Sequence, residues 1–309
     1  MSDSKPDELE QIVEEIVDRV RRRLGAARVG VEEPCTPAPA AEVRTDSAIS
    51  APDCTPSCGE CPIEGTCVSR QAVLMGSRRI SPDVIRTSKD IAPYIDHTLL
   101  NPDATRDQVE TLCDEARRYG FAAVCVNASY VPLAARLLAG SSTVPIAVVG
   151  FPLGATVAAA KAFEAREAVR AGAREIDMVI NIGALKSRDY RLVVDDIAAV
   201  VRASTPAPVK VILETSKLNN DEKIVACALS KAAGAAFVKT STGFGGGGAT
   251  AEDVGLMRRI VGDDMGVKAS GGVRTTDEAR KMIAAGANRI GASASVAIVT
   301  GQKAAAAKY

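Results

Sequence analysis

Three charged side chains lie within segments that are otherwise apolar, and their types suit covalent chemistry on a carbonyl group. Asp177 lies in the segment EIDMVIN, Lys239 in FVKTST and Lys268 in GVKASGG. Lys and Asp are seldom buried unless they are paired or functional. If both lysines point into one interior, repulsion between the ammonium groups and partial burial disfavour charge on both. One lysine then acquires a lowered pKa.

A neutral lysine amine can attack an aldehyde and form a Schiff base, and Asp177 is then available to move protons. A second interpretation stays open, because a buried Lys–Asp ion pair without a catalytic role would give the same pattern. The two interpretations differ in whether Lys239 and Lys268 face each other in a place that a substrate can reach.

Small residues late in the chain form a second group with a chemical use. Ser270-Gly271-Gly272 and Gly291-Ala292-Ser293 each follow an apolar run, and a glycine-rich stretch begins at Gly243. Backbone N–H groups in such stretches bind phosphate, especially beside a helix N-terminus. Glycine is also common in ordinary turns, so this evidence is weaker than that of the lysines. Together, the two groups indicate a phosphorylated sugar aldehyde as substrate.

From Ile91 onward, apolar runs alternate with amphipathic segments, as is typical of parallel βα units. Eight strands are predicted, at Ile91–Leu99, Ala122–Val126, Ile146–Phe151, Glu175–Ile182, Val209–Thr215, Phe237–Ser241, Gly266–Ser270 and Arg289–Ala292. Helices are predicted to begin near Arg106, Val131, Val157, Asp189, Asp221, Ala251 and Thr276, with a short eighth helix from Ser295.

Eight such units in about 219 residues predict a (β/α)8 TIM barrel of the α/β class. The main alternative is an open doubly wound sheet, but the Gly-x-Gly-x-x-Gly pattern of dinucleotide binding is absent after the first strand. Reactive groups of a TIM barrel gather at the C-terminal ends of its strands. Strands six to eight would bring Lys239, Lys268 and the small residues to that end.

The composition excludes several classes of partner. The 309 residues carry 38 basic and 38 acidic side chains, so no summed field attracts nucleic acid or an anionic membrane. Aromatic residues make up 3% and Trp is absent, which leaves few surfaces on which bases could stack. The N-terminal segment lacks the apolar run of a secretory signal, and no apolar stretch is long enough to span a membrane. We therefore expect no nucleic-acid or membrane partner and a cytoplasmic location.

Residues 94–299 carry a series of motifs in a fixed order. They read YIDHTLL, VCVN, VVGFPLG, EIDMVINIGALK, KVILET, FVKTSTGF, GVKASGGVRT and RIGAS. Through these motifs the chain resembles the 2-deoxyribose-5-phosphate aldolase family. The resemblance implies a class I aldolase that reversibly cleaves 2-deoxy-D-ribose 5-phosphate into acetaldehyde and D-glyceraldehyde 3-phosphate. It implies no metal or organic cofactor for catalysis.

The resemblance also implies roles for single residues. Lys239 is expected to form the Schiff base, Lys268 to lower the pKa of Lys239, and Asp177 to act as proton-transfer acid/base. The expected substrate-binding residues are Asp96, Cys125, Gly243, Gly271, Gly272 and Ser293. Some family members have a second Ser where Ala294 stands, so one side-chain hydrogen bond to phosphate is missing here.

Two other residues need an interpretation. Some family members use a C-terminal tyrosine on a mobile tail in proton transfer, and Tyr309 could do so here; the alternative is a frayed terminus without a role. His97 is the single histidine, and we expect it to be held by hydrogen bonds in the first strand rather than to act as the base.

Two further functions stay open at this stage. One is another phosphosugar Schiff-base aldolase with a longer donor, and the other is a noncatalytic barrel that serves as a scaffold through its N-terminal arm. The presence of Asp177, Lys239 and Lys268 favours an enzyme. Its partners would be phosphosugars and aldehydes, and a homo-oligomer is compatible with the sequence.

The chain before the barrel divides into two parts. Residues 1–25 contain a helical apolar pattern over 7–24, with acidic residues early and arginines late, as the helix dipole favours. Residues 26–89 lose this periodicity and predict a flexible linker to the barrel domain at 90–309. The arrangement resembles an encapsulation peptide of bacterial microcompartment cargo, which implies shell proteins as partners and a location inside a microcompartment. The alternatives are packing on the barrel or a sister subunit, an oligomerisation helix, or a passive extension.

Four cysteines of the linker are close enough in sequence to suggest a metal site. Cys54, Cys58, Cys61 and Cys67 could bind Zn or an iron–sulfur cluster, with Cys35 as a substitute ligand. Their spacing differs from the paired Cys-x2-Cys of common zinc sites, so free or redox-active thiols are a competing interpretation. The remaining cysteines lie singly in apolar segments and are expected to be reduced and buried: Cys113, Cys125 and Cys227.

Overall fold

The computed structural model describes residues 80 and 82–302, together with Glu15 and Asp18. Eight parallel strands pair in chain order and close into a barrel. They are β1 (Ile95–Leu99), β2 (Ala123–Val126), β3 (Val144–Val149), β4 (Glu175–Val179), β5 (Val209–Ile212), β6 (Phe237–Lys239), β7 (Gly266–Ser270) and β8 (Arg289–Ala292). The predicted (β/α)8 barrel is confirmed.

Helices follow the strands along the described range. The α-helices are α1 (Arg106–Tyr119), α2 (Val131–Leu137), α3 (Ala158–Arg170), α4 (Ile182–Lys186), α5 (Tyr190–Ser204), α6 (Asn220–Ala232), α7 (Ala251–Val261), α8 (Thr276–Ala284) and α9 (Ser295–Thr300). Short 3-10 helices lie at Pro82–Val84, Ser88–Tyr94, Ala128–Tyr130 and Thr215–Lys217.

Polar residues at the N-termini fix where several helices begin. At α8, the Thr275 hydroxyl accepts a hydrogen bond from the Glu278 backbone N–H at 3.2 Å, and the Glu278 carboxylate accepts one from the Thr275 N–H at 3.0 Å. This reciprocal capping box satisfies two N–H groups that the helix itself leaves without partners. The helices α1 and α6 begin with the same arrangement.

Several strand boundaries differ from the sequence prediction, and at two of them a helical turn takes the place of predicted strand. The first strand begins at Ile95 rather than Ile91, because Ser88–Tyr94 form a 3-10 helix whose first turn is closed by the Asp90 carboxylate and the Thr87 N–H. The fourth strand ends at Val179 rather than Ile182. The unpredicted helix α4 follows it, because the Asn181 side chain accepts a hydrogen bond from the Ala184 N–H at 3.0 Å and caps that helix.

Alternation along the strands determines which side chains face the barrel interior. In β4, Ile176 and Met178 belong to the core between sheet and helices, so Glu175 and Asp177 point inward. In β5 to β8, residues such as Val211, Val238 and Ile290 likewise belong to the core between sheet and helices. The residues that alternate with them therefore face the barrel interior, and four of these are cationic. The inward-facing cations are Lys210, Lys239, Lys268 and Arg289. The strands β2 (AVCV) and β3 (VPIAVV) are continuous in apolar sequence because both faces of the sheet are covered.

The N-terminal predictions lie mostly outside the described residues. Glu15 and Asp18 are helical and exposed, and they fall within the amphipathic segment 7–24. The other positions of that segment lie outside the described range, as does the linker up to residue 79. Among the helices that the structure does describe, none has the length and apolar content needed to cross a bilayer.

Candidate active site

Lys239, Lys268 and Asp177 meet inside the barrel. The two lysines are register partners on the neighbouring strands β6 and β7. The Nζ atoms of Lys239 and Lys268 each lie 2.8 Å from Oδ2 of Asp177. None of these three residues is more than 2% exposed. One carboxylate oxygen therefore bridges two amines that would otherwise repel each other at close range.

Four more charged residues extend this group into a closed network. Lys210 donates to the other oxygen of the central aspartate at 2.8 Å and contacts Glu175 at 2.6 Å. Arg289 contacts Glu175 at 2.9 Å and Asp96 at 2.8 Å. The second oxygen of Asp96 lies 2.5 Å from Nζ of Lys268, which closes the ring.

The surroundings give the two lysines opposite pKa shifts. Burial lowers the pKa of Lys239, and the positive charge of Lys268 adds to this effect against the opposing pull of Asp177. Burial also acts to lower the pKa of Lys268, but Asp177 and Asp96 outweigh it and raise that pKa. Burial favours the neutral form of Asp177, yet the three lysines hold its pKa well below its usual value. Of these two lysines, Lys239 is therefore the one that loses its proton more readily.

The distribution of charges explains this difference. The network holds three carboxylates and four cationic groups, namely Asp96, Glu175, Asp177, Lys210, Lys239, Lys268 and Arg289. Each of the other three cations contacts two carboxylates, whereas Lys239 contacts one. Loss of one proton balances the network, and Lys239 is the group that gives it up at the lowest cost.

A cavity of about 310 Å³ opens at the C-terminal ends of the strands, and Lys239 forms part of its wall. The residues that line it come from β1, β6, β7, β8 and the loops that follow them. They are Thr98, Leu99, Leu100, Asn101, Lys239, Thr242, Gly243, Phe244, Ser270, Gly271, Gly272, Val273, Arg274, Gly291, Ala292 and Ser293. Lys239 therefore borders a cavity, which the catalytic interpretation requires and an inert ion pair does not.

Two glycines allow the close packing of this wall. A Cβ atom at Gly291 would lie 2.9 Å from both Cε of Lys268 and Cβ of Ser270, so the lysine stem can cross β8 because no side chain stands there. Gly271 has φ of 84°, and a Cβ atom there would lie 3.0 Å from the Cα of Gly248. Larger residues at either position would displace the cavity wall.

The other residues expected to bind substrate divide between two places. Gly243, Gly271, Gly272 and Ser293 lie in the cavity wall together with Lys239. Asp96 and Cys125 are fully buried and are not part of that wall. Burial, reinforced by the nearby negative charge of the central carboxylate, raises the pKa of Cys125 to about 11, so its thiol stays protonated.

His97 lies on the helix side of β1 and not in the cavity. Its Nε2 atom is 2.8 Å from the Glu115 carboxylate of α1, and its ring packs edge-on against Phe121. The histidine is fully buried. This position agrees with the expectation of a histidine held by hydrogen bonds within the fold.

Comparison with known proteins places this geometry in a family. Residues 91–302 match the family model described as DeoC/LacD family aldolase. The chain belongs to this family. A deoxyribose-phosphate aldolase of Listeria welshimeri is 59% identical over 214 residues, which cover 69% of this chain and 96% of that protein. One from Halalkalibacterium halodurans is 59% identical over 218 residues, which cover 70% of this chain and 97% of that protein.

A solved structure shares both fold and sequence with this DeoC/LacD aldolase. It is described as the unique tetrameric structure of deoxyribose phosphate aldolase from Aeropyrum pernix. The TM-score is 0.67 at 32% identity, over 74% of this chain and 96% of that one. The barrel therefore accounts for nearly all of each relative, and the N-terminal region of this chain is additional to it.

Sequence reasoning missed several charged residues that the aldolase barrel brings into the site. Glu175, Lys210 and Arg289 complete the charged network, and Arg274 lines the cavity. The signal was available for the first three, because each is a charged residue at an inward position of an apolar strand. Arg274 lies in the loop after β7, where a charged residue carries no such signal.

Several predicted sites of the family member lie outside the described residues. These are the linker cysteines Cys54, Cys58, Cys61 and Cys67, with Cys35, and the terminal Tyr309. Their proposed metal and proton-transfer roles stay predictions. Within residues 80 and 82–302, no group of three or more His, Cys, Asp or Glu side chains is arranged to hold a metal ion. In the same range Cys113, Cys125 and Cys227 are free thiols and are buried.

Proposed function

We propose that this protein is a Schiff-base aldolase that reversibly cleaves 2-deoxy-D-ribose 5-phosphate into acetaldehyde and D-glyceraldehyde 3-phosphate. The observation that carries the proposal is the Lys239 amine. It lines a cavity, its pKa is lowered by burial, and it contacts one carboxylate where the neighbouring cations contact two. The 59% identical relative is a deoxyribose-phosphate aldolase, which supports this choice of substrate.

In the first half of the reaction, the neutral Lys239 nitrogen adds to C1 of the open-chain sugar and forms a carbinolamine. Loss of the C1 hydroxyl as water gives an iminium ion, and the proton needed for this departure passes through Asp177. Asp177 is suited to relay protons because its oxygen lies 2.8 Å from the reacting nitrogen. Lys268 stays positively charged and favours the uncharged form of the nucleophile before attack.

In the second half, the C3 hydroxyl loses its proton and the C2–C3 bond breaks. The electron pair of that bond moves into the iminium group, C3 becomes the aldehyde carbon of D-glyceraldehyde 3-phosphate, and an enamine of acetaldehyde stays on Lys239. Protonation of the enamine at C2 and addition of water release acetaldehyde and the free amine. Every step is acid–base or carbonyl chemistry, so the proposal requires no cofactor.

The phosphate end of the substrate is assigned to the part of the cavity wall where small residues follow β7 and β8. Gly271, Gly272 and Ser293 line the same cavity as Lys239, and Gly243 contributes from the loop after β6. Backbone N–H groups in such loops are the usual phosphate donors of TIM barrels. Arg274 adds a positive charge to this wall.

Trapping of the covalent intermediate tests the proposal. The full-length protein is mixed with acetaldehyde and sodium borohydride, digested, and analysed by mass spectrometry. An ethyl group on Lys239 is the expected result, together with cleavage of deoxyribose 5-phosphate that is lost in Lys239→Ala. Lys217→Ala, at the end of a 3-10 helix after β5, serves as the lysine control and should keep activity. A label on another lysine, or cleavage that survives in Lys239→Ala, would overturn the assignment.

We further propose a homo-oligomer in the cytoplasm, with the N-terminal helix docking on microcompartment shell proteins. A tetrameric relative supports the first part. The second part is supported by the amphipathic pattern of residues 7–24 and by the absence of a counterpart in relatives that the barrel nearly fills. Deletion of residues 1–30 should leave aldolase activity intact and abolish binding to shell proteins. Binding that survives the deletion would defeat the docking proposal.

A further inference from the structure

Glu214 lies just after β5, and the proposed reaction gives it no role. The residue is 3% exposed. Its Oε2 atom accepts hydrogen bonds from the backbone N–H of Thr242 at 3.3 Å and from the Thr242 hydroxyl. Its Oε1 atom is buried and has no hydrogen-bond partner among the described residues. A carboxylate with one free oxygen is an expensive group to bury, so a specific use is expected.

The backbone at Glu214 is also unusual. Its φ of 57° and ψ of 63° lie in the left-handed region, which residues with a Cβ atom seldom adopt. Such a conformation persists where the surrounding contacts hold it, and it is concentrated at functional sites. At Glu214 it turns the side chain from the end of β5 toward the loop that follows β6.

The loop after β6 packs directly against Glu214 and Ser216. A Cβ atom at Gly245 would lie 2.4 Å from Cδ of Glu214, and one at Gly247 would lie 2.4 Å from Cβ of Ser216. On the other side, the N–H of Ala249 donates to the carbonyl of Gly271 at 2.9 Å. The loop is therefore held between the turn after β5 and the wall after β7.

Thr242 connects Glu214 to the cavity wall through hydrogen bonds. Its hydroxyl donates to Glu214 and accepts a hydrogen bond from the N–H of Phe244 at 3.0 Å. Thr242, Gly243 and Phe244 all line the cavity that contains Lys239. Lys239 itself lies within β6, where the ladders to β5 and β7 fix the backbone. The contact with Glu214 thus controls the loop and leaves the nucleophile in place.

We propose that Glu214 is a positioning residue for the phosphate of the substrate. It holds Thr242 so that the backbone of Gly243 and Phe244 is fixed in the cavity wall. This inference rests on the proposed function, because it assigns a role within the same site. Loss of the contact should weaken binding of a phosphorylated sugar and leave the chemistry at Lys239 unchanged.

A comparison of two substrates tests the inference. kcat and KM are measured for 2-deoxyribose 5-phosphate and for 2-deoxyribose, which lacks the phosphate. In Glu214→Ala the KM for the phosphorylated sugar should rise on the order of tenfold, as expected for loss of a hydrogen bond to a charged group. The kcat for that sugar and both constants for 2-deoxyribose should stay close to those of the wild type.

Four further variants separate positioning from a general structural effect. Glu214→Gln keeps an oxygen that can accept from Thr242 and should restore most of the lost affinity. Thr242→Val should reproduce the effect of Glu214→Ala, and the double variant should be no worse than either single one, because all three break the same contact. Thr242→Ser keeps the hydroxyl and should keep the wild-type KM for the phosphorylated sugar. The comparison of Thr242→Val with Thr242→Ser carries the test if Glu214→Ala does not fold.

Arg188→Ala provides the matched control for the backbone. Arg188 is the other non-glycine residue of the described range with a positive φ, at 60°, and it does not line the cavity. Its KM values should not change. Equal losses on both sugars in the Glu214 and Thr242 variants, or additive losses in the double variant, would overturn the inference alone. A wild-type protein that does not cleave 2-deoxyribose 5-phosphate would overturn the proposed function and this inference together.

Discussion

The reactivity assigned to Lys239 depends on how unevenly seven buried charges share their contacts. Lys268 lies between Asp96 and Asp177 and keeps its proton, whereas Lys239 has Asp177 alone. The bridging oxygen of Asp177 contacts both lysines, so a change at one of them alters the field at the other. The pH dependence of the reaction should therefore report how Lys268 and Asp177 each affect the pKa of Lys239.

Substitution of Lys268 by Leu should raise the pKa of Lys239. The variant removes a positive charge next to the amine and leaves Asp177 freer to stabilise the ammonium form, so both effects act in the same direction. A smaller fraction of Lys239 is then neutral at pH 7, and kcat/KM falls. The pH–rate profile should show its acidic limb moved to higher pH. Lys268→Arg keeps the charge and is the control; a limb that stays in place in Lys268→Leu would contradict the coupling.

Substitution of Asp177 by Asn should change activity and stability in different ways. Lys239 loses the carboxylate that favours its ammonium form, so its pKa falls further and the acidic limb moves to lower pH. kcat nevertheless drops, because an amide cannot relay protons. The three lysines also lose their shared partner, which costs about 3–5 kcal/mol in the free energy of unfolding. Urea unfolding and a pH–rate profile measure the two effects, and an unchanged kcat would contradict proton transfer through Asp177.

Only part of the charged network could be recognised from the sequence by inspecting its residues one at a time. Asp177, Lys239 and Lys268 could be predicted because each interrupts an apolar strand. Lys210 and Arg289 interrupt strands in the same way, but sequence alone does not say which strands bring their side chains to one point. That depends on the stagger of the barrel, which pairs Asp177 with Lys210 and Lys268 with Arg289.

At the level of elements, a second buried ion pair ties two helices to the strand that carries Asp177. Nζ of Lys161 in α3 lies 2.6 Å from the Asp196 carboxylate in α5 and 3.0 Å from the carbonyl oxygen of Val179 at the end of β4. Lys161 is 0% and Asp196 1% exposed. The contact joins α3, α5 and β4 behind the barrel wall.

Removal of one member of this pair should destabilise the protein far more than removal of both. Asp196→Ala leaves the Lys161 ammonium buried without a counterion, and we expect a loss of about 3–5 kcal/mol in the free energy of unfolding. The double variant Lys161→Met with Asp196→Leu replaces both charges by apolar groups and should recover most of that loss. Urea denaturation measures all three proteins. Equal losses in the single and double variants would show that packing, and not the uncompensated charge, dominates.

The elements themselves were predicted well, and the errors occur where local hydrogen bonds override pattern. Each predicted strand overlaps an observed one, because burial on both faces of a parallel barrel leaves apolar runs in the sequence. The predicted first strand included Ile91–Tyr94 and the predicted fourth strand ended at Ile182, yet these residues belong to helical turns. Side-chain caps from Asp90 and Asn181 decide these two cases, and a hydrophobic pattern does not record them.

At the level of the whole molecule, the buried network links the stability of the barrel to pH. The pKa of Asp96 is about 2, because Arg289 and Lys268 outweigh the effect of burial, which favours the neutral acid. Asp177 is shifted in the same direction. A carboxyl group whose pKa is lower in the folded than in the unfolded state contributes stability that is complete above the unfolded pKa. That stability is lost as the pH falls through the folded pKa.

We therefore expect acid unfolding with a defined dependence on these carboxylates. The free energy of unfolding should hold above about pH 4 and fall as the pH approaches 2, with roughly 2 kcal/mol of the loss from Asp96. Asp96→Asn should be less stable at neutral pH, and its stability should depend less on pH in this range. Asp264→Asn is the control, because the Lys231 hydrogen bond lowers the pKa of Asp264 on the exposed surface, where solvent screens the effect. Urea unfolding at a series of pH values measures all three proteins, and a slope in Asp96→Asn equal to that of the wild type would show that Asp96 does not contribute to the acid sensitivity.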